Sequence, residues 1–66
     1  MNKTKIGKKL LSLRGSKRRD DVAKDLGISS STLAMYETGK RIPRDETKVK
    51  IANYYDVDLV ELFYTT

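Results

Sequence analysis

The apolar residues of this chain fall in short helical stripes, each closed by a glycine or a small polar cluster. Ile6, Leu10 and Leu13 stand at i, i+4 and i+7 and predict a helix from about Lys5 to Arg14, ended by Gly15-Ser16. A second helix is predicted from Arg18 to Leu26, burying Val22, Ala23 and Leu26. Asp20 and Asp21 lie in its first turn, where the helix dipole favours acids, and Gly27 stops it. Ser29 is a good N-cap for a third helix, Ser30 to Thr38, with Leu33 and Tyr36 inward and Gly39 after it. Lys40-Arg41-Ile42 forms a loop into Pro43, which suits the first turn of a fourth helix running to about Tyr55. Val49, Ile51, Ala52 and Tyr55 are its expected apolar side. Asp56-Val57-Asp58 breaks that helix, and Asp58 can cap a short fifth one burying Leu59, Leu62 and Phe63. There is no strand alternation, repeat or linker. The predicted fold is all-α: five helices in a single domain over residues 1–66.

Composition narrows the function. A chain of 66 residues buries only about 60% of the surface of its unfolded form, so the core is thin. It has no cysteine and no histidine, which removes disulfides, thiolate metal sites, the commonest metal ligand and the commonest general base. Asp20-Asp21 is explained by the helix dipole, and no second acidic cluster faces it. No enzyme activity, cofactor, metal or small-molecule effector is therefore expected. No apolar run is long enough to span a membrane, and the basic start, Met1 to Lys5, is not followed by the apolar stretch of a signal peptide. A cytoplasmic location is expected.

Charge is distributed unevenly. The net charge is +5, yet residues 1–27 carry nine basic and three acidic side chains, and residues 46–66 carry two and four. Basic character concentrated in one half of a small domain is the electrostatic footprint of a nucleic-acid face. A solvated surface accounts for any single lysine, but not for the asymmetry.

Residues 19–36 form the informative unit. Val22, Leu26, Ile28, Leu33 and Tyr36 are apolar, Ala23 is small, and Gly27 sits between two helices. This pattern suits two helices crossing through a tight turn, with the outer face of the second left free. Ile6-Gly7, Leu10 and Leu13-Arg14 precede the unit. Within and after it come Val22 to Ser29, Ser31-Thr32-Leu33, Tyr36 to Pro43, Lys50-Ile51-Ala52 and Val57 to Phe63. Over nearly its whole length the chain thus resembles the helix-turn-helix family of phage repressors and Cro-like regulators, the xenobiotic-response-element type. The resemblance implies a lambda-repressor-like domain with its helix-turn-helix at about 18–38. It also implies sequence-specific binding of double-stranded DNA, with the helix from Ser30 in the major groove.

Carried over by position, Ser30, Ser31 and Met35 look like the residues that meet base edges. Ser29 and Thr32 look like phosphate or sugar contacts, though serines here also suit a plain capping cluster. Lys17, Arg18, Arg19, Lys40 and Arg41 look like backbone clamps. Arg14 and Glu37 resemble the family's structural salt bridge between helices one and three. The chain departs from the family at Arg18-Arg19, where Ser or Thr followed by Gln is usual. The second helix therefore lacks its N-cap hydroxyl at that position unless Ser16 caps instead. The chain departs also at Asp45 and Lys48, where leucine is common, so helix four is expected to pack less deeply at its start. No Arg, Gln or Asn lies on the third helix, so bidentate readout of guanine or adenine is absent and phosphate contacts and DNA shape gain weight.

The expected protein is a bacterial or prophage transcription regulator, a repressor, acting as a homodimer that DNA itself can induce. Leu59, Leu62, Phe63 and Tyr64 are the candidate dimer patch. The alternative is a protein-interaction module, such as an antitoxin or regulatory partner, built on the same fold. A single-strand stacking platform of Tyr54, Tyr55 and Tyr64 is not favoured, because these residues lie away from the positive charge.

Overall fold

Asn2 opens the first helix: its side-chain oxygen accepts a hydrogen bond from the Lys5 backbone N–H at 3.0 Å. The computed structural model describes residues 1–65 and contains five helices: α1 (Lys3–Arg14), α2 (Arg19–Leu26), α3 (Ser30–Glu37), α4 (Asp45–Tyr55) and α5 (Leu59–Phe63). No strand occurs among the described residues. Helix α1 starts two residues before the predicted position because Asn2 supplies the cap.

Helix α3 is the hub, packed against both α1 and α2, while α5 closes over α4 and α1. Ile6, Leu10, Val22, Leu33, Ile51 and Phe63 are each no more than 1% exposed and form the centre of the core. Leu13, Ile28, Tyr54, Tyr55, Val57 and Leu59 pack around it. Gly7 allows the closest approach. A Cβ built there would lie 2.5 Å from the Glu37 carbonyl oxygen, so the backbones of α1 and α3 touch where any side chain would separate them. Gly27 ends α2 at φ 71° in the left-handed region, and its N–H donates back to the Ala23 and Lys24 carbonyls. That turn swings the chain into Ser29, whose hydroxyl caps α3 by accepting the Thr32 N–H at 3.0 Å.

Several sequence expectations change here. Pro43 lies in the loop, not in the first turn of α4. The helix begins after Arg44, whose carbonyl accepts the first helical bond from Lys48, and Asp45 and Glu46 occupy the dipole-favoured turn. Nor does Ser16 cap α2: Arg18 holds the N-cap position with no side-chain hydrogen bond. Val49 is 49% exposed, whereas Lys48 is 5% exposed and belongs to the inward face. The true stripe of α4 is 48, 51, 52 and 55, spaced i, i+3, i+4 and i+7, so the start of the helix does pack deeply. Lys48 fits because its methylene stem is apolar while its ammonium reaches out to the Tyr64 hydroxyl at 2.9 Å and to Asp45 at 3.4 Å. Its charge also lies 4.7 Å from the Tyr64 ring centroid and 5.9 Å from that of Phe63.

The C-terminal patch is corrected too. Leu62 and Phe63 are core residues, 4% and 0% exposed, and so offer no surface to a partner. Leu59 is half-buried against the core. The apolar surface that α5 leaves open is Val60 and Tyr64. Asp58 caps α5 as expected, accepting the Glu61 N–H at 2.9 Å.

Candidate nucleic-acid interface

The outer side of α3 is built from its first turn. Ser31 is exposed, while Ser30, Thr32 and Met35 are partly exposed. The four therefore remain reachable while Leu33 and Tyr36 anchor the opposite side in the core. Their hydroxyls are not equivalent. The Ser29 hydroxyl accepts the Thr32 N–H and donates to Thr32 Oγ1 at 2.8 Å, so its one proton is committed and its main role is the cap. Thr32 receives that bond and keeps its own proton for an outside acceptor. Ser30 donates its proton to Asp20 Oδ1 across the turn from α2. No sequence pattern announced that last contact, because Asp20 was already accounted for by the helix dipole.

Positive charge flanks α3 at both ends. After the helix, the backbone N–H groups of Lys40 and Arg41 both donate to the Met35 carbonyl, at 2.9 and 3.2 Å. The loop is thereby folded onto the helix end with both side chains exposed. The start of α1 borders the same loop, since a Cβ at Gly39 would lie 3.3 Å from the Lys3 carbonyl oxygen. The backbone of Lys3 thus lies beside this loop, a neighbourhood that separation in sequence concealed. At the other end, Arg18 is exposed and 4.0 Å from Asp20, a surface pair of little energetic worth. Lys17 is exposed, with its ammonium 5.1 Å from the Tyr54 ring centroid. It therefore leans toward α4 in this structure.

Arg19 differs from its neighbours. Its Nε donates to Glu37 Oε1 at 2.9 Å. Arg14 reaches the same carboxylate from α1, with Nε 2.7 Å from Oε2 and Nη2 3.3 Å from Oε1. The Glu37 side chain is fully buried and accepts from two guanidinium groups, so the structural bridge read from Arg14 and Glu37 is in fact a triad. The bond to Glu37 holds the Arg14 guanidinium above its ordinary pKa. Arg19 remains 39% exposed, so it joins the core to the face that α3 presents. Nearby, the Tyr55 hydroxyl is buried without a hydrogen-bond partner, and burial, with a smaller contribution from the Glu37 charge, pushes its pKa up to about 12.

Two helices joined by a left-handed glycine turn, the second capped by serine and exposing its first turn between basic clusters, define a helix-turn-helix recognition unit. The helix-turn-helix family model matches residues 8–62, and the chain belongs to that family. It is similar to the cryptic phage CTXphi transcriptional repressor RstR of Vibrio cholerae, at 36% identity over 44 residues. That match covers 67% of this chain and 40% of the relative's length, so the chain spans well under two thirds of the protein it resembles. No helix among the described residues is long and apolar enough to cross a membrane.

Proposed function

We propose that the protein represses transcription by binding a specific duplex DNA site, with α3 in the major groove. The observation that carries this reading is the placement of Ser30, Ser31 and Met35 on the exposed side of α3, with Arg18 near its first turn beside Asp20 and with Arg19, Lys40 and Arg41 around its last turn. In this arrangement the arginines and lysines grip phosphates on either side of the groove, and the α3 side chains meet base edges. Thr32 serves as an additional phosphate donor. Met35 supplies an apolar contact suited to a thymine methyl. The similarity to a phage transcriptional repressor supports repression over activation.

The protein acts as a homodimer on a two-fold symmetric site. Half-sites for such units lie about 34 Å apart along the duplex. The domain measures 27 × 22 × 22 Å between backbone extremes. Two copies therefore fit side by side on one face of the DNA, with their side chains close enough to meet. The exposed Val60 and Tyr64 of α5 are the apolar groups available for that meeting. Sedimentation of the protein alone and with operator DNA tests this, and a strict monomer in both cases overturns it.

The DNA reading is tested by titrating the protein onto its own upstream DNA and onto a scrambled duplex. Affinity should fall by ~10³ or more between ~50 and ~200 mM salt, and the native DNA should keep its advantage throughout. Equal or negligible binding to the two duplexes would refute the reading and return the protein to the class of interaction modules such as antitoxins.

A further inference from the structure

We infer that Asp20 is a specificity-determining residue, fixing the Ser30 hydroxyl so that the start of α3 selects an exocyclic amino group, adenine N6 or cytosine N4, in the major groove. The inference rests on the DNA-binding reading above and deepens it.

A serine hydroxyl has one proton and two lone pairs. Left alone it rotates to donate to a carbonyl or accept from an amine, and so distinguishes bases poorly. Here the proton is already given away: Ser30 Oγ donates to Asp20 Oδ1. What remains on Ser30 is acceptor capacity only. The carboxylate beside it is likewise acceptor-only when ionised. Its other oxygen, Oδ2, has Arg18 Nη2 at 4.0 Å and is otherwise open, since the Asp20 side chain is 69% exposed. Ser30 and Asp20 thus present two adjoining acceptors, with the donors of this turn, Ser31, Thr32 and Arg18, standing on other side chains.

The major-groove edges sort accordingly. Cytosine presents an amino donor there and adenine an amino donor beside its N7 acceptor, whereas guanine presents O6 and N7 and thymine presents O4 and a methyl group. An acceptor pair bonds the first two and repels the last two. The geometry is reinforced from both sides. Gly27 and the Ser29 cap fix the start of α3, and Asp20 sits in the first turn of the neighbouring helix. Asp20 carries a cost as well, because a negative charge at a DNA face opposes phosphate binding. A carboxylate at this point weakens general affinity, and sharpened base choice is what it returns.

The test is a set of operator duplexes carrying each of the four bases at every half-site position, bound by the wild type, Asp20→Ala and Ser30→Ala. Asp20 is exposed and Ser30 partly exposed, and circular dichroism checks that the variants remain folded. The wild type should prefer one base pair at one position by roughly ten-fold or more, the scale of a good base contact. Both variants should level the four bases at that position and keep the preferences elsewhere. Asp20→Ala should also bind scrambled DNA more tightly. If Asp20→Ala raises affinity evenly while every base preference survives, Asp20 is only a charge at the interface and the inference is wrong. Guanine or thymine on one strand pairs with cytosine or adenine on the other, so the amino group is identified by analogue. Purine in place of the adenine, or 2-pyrimidinone in place of the cytosine, at that position should cost the wild type the same roughly ten-fold and Ser30→Ala nothing, and an unchanged wild-type affinity overturns the inference. A wild type indifferent to sequence at every position would instead sink the DNA-reading proposal itself, and this inference with it.

Discussion

Arg14 on α1 and Glu37 on α3 are joined by two hydrogen bonds, Nε to Oε2 at 2.7 Å and Nη2 to Oε1 at 3.3 Å, about a carboxylate that solvent does not reach. Two turns earlier on α1, the backbone of Gly7 presses on the carbonyl of the same glutamate. Helix α3 is therefore fastened to the body at its C-terminal end by charge and by backbone contact together.

Removing the carboxylate should be severe. Glu37→Gln leaves Arg14 and Arg19 without their shared anion and should lower unfolding free energy by roughly 3 kcal/mol or more. Arg19→Ala should cost clearly less, because Arg14 still satisfies the carboxylate. Urea unfolding of the two variants checks the order, and equal losses would contradict the triad.

Gly7→Ala tests the backbone contact. The added methyl would meet the Glu37 carbonyl at 2.5 Å, with backbone on both sides and no flexible side chain to yield. A loss of about 2 kcal/mol or more is expected, despite the higher helix propensity of alanine. A neutral or stabilised variant would show that α1 and α3 can part without cost.

Lys48 should behave as an apolar residue with a charged tip. Lys48→Met keeps the stem in place and should cost under ~1.5 kcal/mol, while Lys48→Ala strips three methylenes from the core edge and should cost about 2 kcal/mol. Thermal unfolding of both separates packing from charge.

Alkaline pH should expose the Tyr55 hydroxyl. Its pKa is pushed up to about 12 in the folded protein from an ordinary value near 10. Between pH 10 and 12 the unfolded chain releases this proton and the folded one retains it, so stability is present below pH 10 and falls as pH rises through that window. Lys48 adds to the same decline: its bond to Tyr64 raises its pKa, and the resulting stability is lost as the ammonium deprotonates. Tyr55→Phe should remove only the tyrosine share, flattening the curve, and should gain about 1 kcal/mol at pH 7 by deleting an unpaired buried hydroxyl. An unchanged alkaline slope would refute the assignment.

Phosphate contacts should reveal themselves by salt. Lys40→Ala and Arg41→Ala should each weaken binding to every duplex alike and reduce the salt slope by roughly 1. A shift in base preference instead would move these residues to the reading face.

The chain announced its architecture through local signals. Ile6, Leu10 and Leu13 marked α1, Gly27 and Ser29 marked the turn, and Asp58 marked α5, because caps and stripes are properties of near neighbours. It hid what depends on which side of a helix meets the core. Counting Val49 as inward and Lys48 as outward follows from polarity alone, yet the helix turns Lys48 onto the stripe of Ile51, Ala52 and Tyr55. Leu62 and Phe63 had enough apolar character for either core or interface, and only the closure of α5 over α4 and α1 decides between them. At the interface, the open face of α3 and its basic flanks were legible from residue type and spacing. The Asp20–Ser30 and Arg19–Glu37 bonds were not, since each joins residues on different helices whose orientation the sequence does not state.

The fastening of α3 through Gly7 and Glu37 has a consequence for how such a regulator diversifies. The parts that hold the helix and the parts that would face DNA lie on opposite sides of two turns, and they share only Arg19. If α3 reads DNA as proposed, Ser31 and Met35, and Ser30 together with its partner Asp20, can be exchanged like type in a printing block, changing the message while the press stays as it is. New target sites then lie a few surface substitutions away, with no need to rebuild the interior.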